Sequence, residues 1–187
     1  MTTTLRLDPT ALRVLAHPLR SRLLAALRTR GPATATALAQ SLGTNTGATS
    51  YHLRRLASVG LVEETEGGRG RERPWRASTG SHGWTESEVA YDPDAKAASD
   101  WLKRYYLREF VDHYSRWLDV MDAWPIEWRD VADASDVLIT VTPADLKGLE
   151  TELFALFERY RDPSPGDPAA RPIQLVLHVL PIDPSAP

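Results

Sequence analysis

The chain of 187 residues contains no cysteine. Disulfide bonds, thiolate metal sites and cysteine nucleophiles are therefore excluded. Long apolar runs are missing too: no stretch of about 18 apolar residues occurs, so a membrane-spanning helix is not expected. The residues after Met1 lack the apolar core of a signal peptide. The sequence therefore predicts a cytoplasmic protein with no membrane partner.

Lysine is scarce, with three residues against 19 arginines, and the charged residues are unevenly distributed. Residues 1–78 contain 12 arginines, no lysine and five acidic residues, which gives a formal charge of +7. Residues 79–187 carry a charge of −10, although the whole chain carries only −3. Such asymmetry indicates a nucleic-acid-facing module joined to a unit with another role.

Start and stop signals predict four helices and a hairpin in the basic part. Asp8 before Pro9 caps the first helix, and glycines follow the later helices. The predicted helices span about 9–16, 18–30, 35–42 and 45–58. Strand-like segments at 61–65 and 71–78 flank a glycine-rich turn at 67–70. Helices followed by such a hairpin are typical of a winged helix-turn-helix.

The fourth helix is expected to read DNA. Its Thr49, Leu53 and Leu56 recur at helical spacing and can face a core. The opposite face is then small or hydrogen-bonding, which suits close approach in a major groove. The expected base-reading residues are Thr46, Gly47, Ser50 and Tyr51. An ordinary surface helix would also carry such residues.

The hairpin adds a cluster of arginines beside that helix. Arg69, Arg71 and Arg73 alternate, so an extended segment places their guanidinium groups on one face. Arginine matches phosphate oxygens and fits a narrow minor groove, and this favours DNA over a merely solvated surface. The residues expected to contact phosphate or the minor groove are Asn45, Arg54, Arg55, Arg69, Arg71 and Arg73.

Residues 10–78 resemble the ArsR-type winged-helix transcriptional regulators. The resemblance rests on LAHPLRSRLL at 15–24, SYHLRRL at 50–56 and GLV at 60–62. It implies a homodimeric repressor whose affinity for DNA falls when an inducer binds. It also places Thr46, Gly47, Ser50 and Tyr51 at base-reading positions.

The metal-sensing sites of that family do not transfer to this sequence. With no cysteine, the best remaining set is Glu109, Asp112 and His113, which is more typical of surface charges on a helix. His17 and His52 are interpreted as structural. We therefore expect no metal and no cofactor. Catalysis is not expected either, because the sequence has no Gly-x-Ser-x-Gly elbow and no phosphate-binding loop.

The acidic part is predicted to be a small α+β unit beyond a linker at 79–91. A long amphipathic helix at 92–123 is followed by a strand at 137–141, a helix from 142 and a strand at 173–180. Ten of the 15 aromatic residues lie between Trp84 and Trp128. They indicate a dimer core, an effector pocket or both. The residues concerned are Trp101, Tyr105, Phe110, Tyr114, Trp117, Leu118 and Met121.

The whole chain is thus predicted to be mainly α. Its domains are a winged helix-turn-helix at 1–78 and a dimerisation or effector domain at 92–187. The expected function is a homodimeric repressor that binds an inverted repeat in double-stranded DNA. A non-metal small-molecule effector, apolar or aromatic, would relieve repression. Two alternatives stay open: a protein-docking winged helix without an operator, and a DNA binder without an inducer.

Overall fold

The computed structural model describes residues 5–66, 73–132, 134–160 and 166–183, and this part of the chain is mainly helical. The predicted mainly α class and the N-terminal winged helix-turn-helix are confirmed. The chain forms two units, residues 1–109 and residues 110–187.

Capping side chains begin the first four helices. The Asp8 Oδ1 atom accepts a hydrogen bond from the Ala11 backbone N–H (2.7 Å), and Thr34 Oγ1 accepts one from the Ala37 N–H (3.2 Å). Gly43 ends the third helix at a φ of 65°, a left-handed conformation that favours glycine. The helices are α1 (Pro9–Leu15), α2 (Pro18–Arg30), α3 (Ala35–Leu42) and α4 (Thr46–Ala57).

Two short sheets complete the first unit. The strands are β1 (Leu5–Arg6), β2 (Val62–Glu64), β3 (Trp75–Ala77) and β4 (His82–Gly83). Strands β2 and β3 pair antiparallel and form the wing, whereas β1 and β4 pair in parallel. Ala33 exchanges two backbone hydrogen bonds with Trp75, at 2.9 and 2.8 Å. The wing is therefore tied to the turn between α2 and α3.

The segment predicted to be a linker, residues 79–91, packs with the first unit. It contains β4 and a short helix, and its Val89 side chain is fully buried. The next helix starts at Asp92, whose Oδ1 accepts a hydrogen bond from the Ala95 N–H (3.0 Å). Ala95 and Leu102 are also fully buried, so the start of this helix belongs to the core. The two helices are α5 (Glu86–Val89) and α6 (Pro93–Val120).

The second unit contains the end of α6 and further helical elements. These are a 3-10 turn (Met121–Ala123), α7 (Ile126–Arg129) and α8 (Pro143–Arg159). Helix α8 begins with a capping box: Thr142 Oγ1 accepts from the Asp145 N–H (3.2 Å), and the Asp145 carboxylate accepts from the Thr142 N–H (3.0 Å). Within the described ranges, no helix has the length and apolar character needed to cross a membrane.

The two strands predicted in the acidic part are wrong. Residues 137–141 and 173–180 pair with no strand in the part of the chain that the structure describes. Their alternating apolar pattern is real, but a strand also needs a neighbouring backbone to satisfy its N–H and C=O groups. Leu138 and Leu175 are instead about 70% exposed, at 72% and 69%. The described C-terminal part is helical, not strand-helix-strand.

A partly buried polar chain joins α2, β4 and α6 in the first unit. The Arg28 guanidinium donates to His82 Nδ1 (2.6 Å), which leaves the proton of the neutral ring on Nε2. His82 Nε2 then donates to the Tyr106 hydroxyl (2.8 Å). Burial, and secondarily the Arg28 charge, lowers the pKa of His82 to about 3, whereas burial raises the pKa of Tyr106. His82 is therefore neutral in the folded protein.

We expect the free energy of unfolding to fall as the pH drops from 6.5 towards 3. In that range the unfolded chain protonates His82 and the folded chain does not, so acid favours unfolding. Between pH 7 and 5 this histidine accounts for about 2 kcal/mol. Urea unfolding at both pH values measures the loss, and H82Q should reduce it. H113Q, a variant at an exposed histidine, should lose as much free energy of unfolding between pH 7 and 5 as the wild type. If H82Q also lost as much as the wild type, His82 would not be a buried neutral ring.

Candidate nucleic-acid interface

One face of α4 is fixed against the core. Thr49, Leu53 and Leu56 are all fully buried, as their spacing predicts. Asn45 caps the helix, because its Oδ1 accepts a hydrogen bond from the Ala48 N–H (2.8 Å). These contacts determine which side chains of α4 face outward.

The four predicted base-reading residues lie at the N-terminal end of α4, on its outer side. Thr46, Gly47 and Tyr51 are exposed, Tyr51 by 57%, and Ser50 is half-buried. A Cβ at Gly47 would meet only Asn45 Oδ1, at 3.4 Å, so no packing constraint in the first unit requires glycine there. This end of the helix is small and polar. Its role in reading bases stays a prediction.

A cleft separates one flank of α4 from the wing. Thr46, Ser50 and Arg54 recur at every fourth position and line its helix side. The cleft has a volume of about 330 Å³. Its other lining residues are Ala35, Thr36, Glu64, Arg73 and Trp75.

The wing arginines differ in their surroundings. Arg69 and Arg71 lie outside the described residues. Arg73 is exposed, and its Nη1 lies 3.6 Å from Glu64 Oε2, a surface ion pair worth at most about 1 kcal/mol. Arg76 forms a closer pair with Glu63, at 2.9 Å across the strands. Arg73 can therefore exchange its weak partner for another anion more readily than Arg76 can.

The other predicted phosphate contacts fall on or before α4. Arg54 and Arg55 are both exposed near its C-terminal end, on opposite flanks. Asn45 uses its carbonyl oxygen as the helix cap, so only its amide NH2 group is available to a phosphate.

Sequence reasoning missed three residues beside the flank of α4 that faces away from the wing. The rings of His17 and His52 lie 4.5 Å apart between centroids, and Arg20 lies in the same neighbourhood. Burial, and then the Arg20 charge, lowers the pKa of His17. Burial and then His17 and Arg20 lower the pKa of His52. The signal in the sequence was the pair of histidines within LAHPLR and SYHL, which we interpreted as structural only.

The predicted aromatic set is divided between the two units. In the first unit, Trp101 and Tyr105 stack at 5.2 Å with 8° between their planes. Tyr105 is buried, and burial followed by the nearby Glu109 charge raises its pKa to about 12. These two rings pack beside and within the core of the first unit, as a structural role requires.

In the second unit, the remaining members of the set follow the end of α6. Phe110 and Tyr114 stack at 5.9 Å, and Trp117 meets Trp124 edge-on at 5.5 Å. Leu118 is half-exposed and Met121 is partly buried. The sequence proposed either dimer packing or an effector site for them, and both stay predictions.

Metal-ligating side chains do not cluster in the described parts of the chain: no group of three or more His, Asp or Glu residues is placed to hold an ion. His113 instead forms a hydrogen bond through Nδ1 with the Gln174 Oε1 atom, at 2.7 Å.

Comparison with known proteins gives a family. A family model described as a helix-turn-helix domain matches residues 15–65. No curated protein matches the chain. Among solved structures, a possible transcriptional regulator for arsenical resistance is 32% identical over 70% of this chain and 99% of its own, with a TM-score of 0.33.

Two mycobacterial structures are more distant in sequence. The homodimeric winged helix-turn-helix DNA-binding domain of Mb0332 from Mycobacterium bovis, a possible ArsR-family regulator, is 21% identical over 56% of this chain and 76% of its own (TM-score 0.34). RV1404 from Mycobacterium tuberculosis is 17% identical over 84% of this chain and 85% of its own (TM-score 0.33). These TM-scores are too low to support any assignment.

The fold of the first unit, with α4 presented beside a wing, defines a winged helix-turn-helix protein. The family model identifies residues 15–65 as a helix-turn-helix domain, in agreement with the resemblance to winged helix-turn-helix transcriptional regulators found in the sequence. The resemblance found in the sequence is confirmed. This family consists of transcription regulators and not of enzymes.

We expect T49V to stabilise the protein. Thr49 is fully buried, and its hydroxyl has no hydrogen-bond partner among the described residues. Replacing the hydroxyl with a methyl group of similar size should raise the free energy of unfolding by about 1 kcal/mol. T46V makes the same change at an exposed position and should stay within about 0.5 kcal/mol of the wild type. Urea denaturation compares them, and a clear loss of stability in T49V would show that the hydroxyl is bonded.

Proposed function

We propose that the chain is a homodimeric, sequence-specific transcriptional repressor that binds an inverted repeat in double-stranded DNA. The observation that carries the proposal is the outward face of α4, where Thr46 and Tyr51 are exposed and arginines lie on both flanks. A major groove admits a helix with such a face, because small side chains allow close approach and hydroxyl groups reach base edges.

The predicted contacts divide into two kinds. Thr46, Gly47, Ser50 and Tyr51 would read bases, since they occupy the end of α4 that enters a groove in helix-turn-helix proteins. Asn45, Arg54, Arg55, Arg69, Arg71 and Arg73 would bind phosphate or the minor groove. Phosphate contacts set the position of the protein on DNA, and base contacts provide sequence specificity.

Dimerisation is supported by the apolar surface of the second unit. Many large apolar side chains there are exposed in a single chain, and such surfaces are typical of interfaces. Six of them are Val111, Leu118, Ile126, Leu138, Leu175 and Leu177. A second copy related by a two-fold axis would bury them and present two α4 helices, which is why the operator should be an inverted repeat.

We also propose that a non-metal small molecule, apolar or aromatic, releases the repressor from DNA. Phe110, Tyr114 and Trp117 are partly exposed aromatic residues in the second unit, and ligand sites are mainly apolar with a few polar anchors. If these rings served dimer packing alone, DNA binding would respond only to the abundance of the protein.

Selection from random DNA duplexes tests the proposal. The purified protein should enrich an inverted repeat with half-sites about one helical turn apart, and it should sediment as a dimer. A protein-docking winged helix would enrich no motif, and that outcome would overturn the proposal. A monomer that enriches a single half-site would refute the dimer alone.

Two sets of substitutions separate base reading from phosphate binding. The triple variant R69A/R71A/R73A should weaken binding to all duplexes alike and reduce the slope of log affinity against log salt by about 5, because a dimer loses three arginines from each protomer. S50A should instead change the selected sequence and leave that slope unaltered. Salt titrations and repeated selection provide the measurements. If both variants weakened binding to every duplex equally, the proposal that α4 reads the bases would be wrong.

A further inference from the structure

Four basic side chains are electrostatic neighbours on the flank of α4 that faces away from the wing, and two of them, His17 and His52, are in ring contact. They are His17, Arg20, His52 and Arg55, and we call them the His–Arg cluster. The electrostatic neighbours of His17, Arg20 and His52 are other members of the cluster and Tyr51, with no carboxylate among them. None of the four forms an ion pair with an acidic residue in the described parts of the chain. The cluster therefore concentrates basic groups without compensation.

The cluster is held by the fold. His17 caps α2, since its Nδ1 accepts a hydrogen bond from the Leu19 N–H (3.2 Å). The neutral ring therefore carries its proton on Nε2, as a donor. His52 follows Tyr51 on α4, and the two rings meet edge-on at 5.1 Å. The His17 and His52 rings pack together, so the start of α2 and the middle of α4 present one joint surface.

Two donor or acceptor groups in this surface have no partner. Arg20 Nε and His52 Nδ1 are both buried, and neither forms a hydrogen bond within the described residues. Unsatisfied buried polar groups are costly, and each needs an explanation. The residues themselves are only half-buried, so an outside ligand can reach the exposed part of each side chain. The like charges of Arg20 and Arg55 also repel each other, and a bound anion would reduce that repulsion.

The position of the cluster identifies the anion. Thr46, Ser50 and Arg54 line the wing side of α4, whereas His52 and Arg55 lie on its other side. A helix in a major groove has a phosphate backbone along each flank. We propose that the His–Arg cluster binds a backbone phosphate of DNA on the side away from the wing, with Arg20 as its main contact. This inference rests on the proposed function.

Arg20 can be tested against a matched arginine on the same helix. R20Q removes the charge from the cluster, and R30Q removes one from the exposed far end of α2, about 15 Å along the helix axis. Because R20Q also removes a repulsion and an unpaired donor, its thermal midpoint should equal or exceed that of the wild type. A residue that served folding alone would lower it.

R20Q should lower the affinity for DNA, although it does not lower the thermal midpoint. With a duplex selected by the wild type, R20Q should lose about tenfold in affinity for each half-site, about 100-fold for the dimer, and reduce the slope of log affinity against log salt by about 1.8. R55Q should act in the same direction. R30Q should alter neither quantity, although it makes the same change in net charge.

A neutral linkage in the DNA locates the contact. Single methylphosphonates are placed at successive positions of the backbone flanking each half-site. At one position the wild type and R30Q should lose affinity, while R20Q should lose nothing further. If no position distinguishes R20Q, or if R20Q binds as tightly as R30Q, the inference is overturned. If the wild type enriches no motif at all, the proposed function fails instead, so the two failures are distinguishable.

Discussion

The burial of Thr49, Leu53 and Leu56 is the constraint on which the interface depends. A helix with three fully buried residues on one stripe cannot rotate about its axis without exposing them. The stripe therefore fixes which side chains face outward, which line the cleft and which meet α2. Trp75 supports this arrangement, since its backbone bonds to Ala33 and its buried ring keeps the wing beside α4.

The parts of the fold that the sequence predicts are those with local causes. The Asp8 cap, the stripe of α4 and the stop at Gly43 are each determined by residues within one or two turns. The parallel pairing of Leu5 with His82 joins segments 77 residues apart over only two residues a strand, too few for a periodic pattern. The strands predicted at 137–141 and 173–180 are wrong for the converse reason: their pattern is present, but the described part of the chain places no strand beside them.

The interface also divides into features with local causes, which the sequence predicts, and features that depend on residues distant in the sequence. The predicted base-reading residues were found from spacing on one helix, and the structure places them at its exposed end. His17 and His52 were present in the sequence, but their meaning depends on a ring contact across 35 residues and on the lack of a carboxylate among their described neighbours. Composition and periodicity contain no information about such neighbours. A basic residue becomes informative only when the charges around it are known.

Those neighbours also show why a net charge of −3 does not oppose binding to DNA. At physiological ionic strength charges are screened within about 8 Å, so a phosphate responds to the groups beside it and not to the sum over the chain. The two flanks of α4 differ in this respect. On the wing, Glu63 and Glu64 already pair with Arg76 and Arg73. Among the described residues, no acidic side chain pairs with the His–Arg cluster. A phosphate bound there displaces no carboxylate and is attracted by arginines that are not already paired.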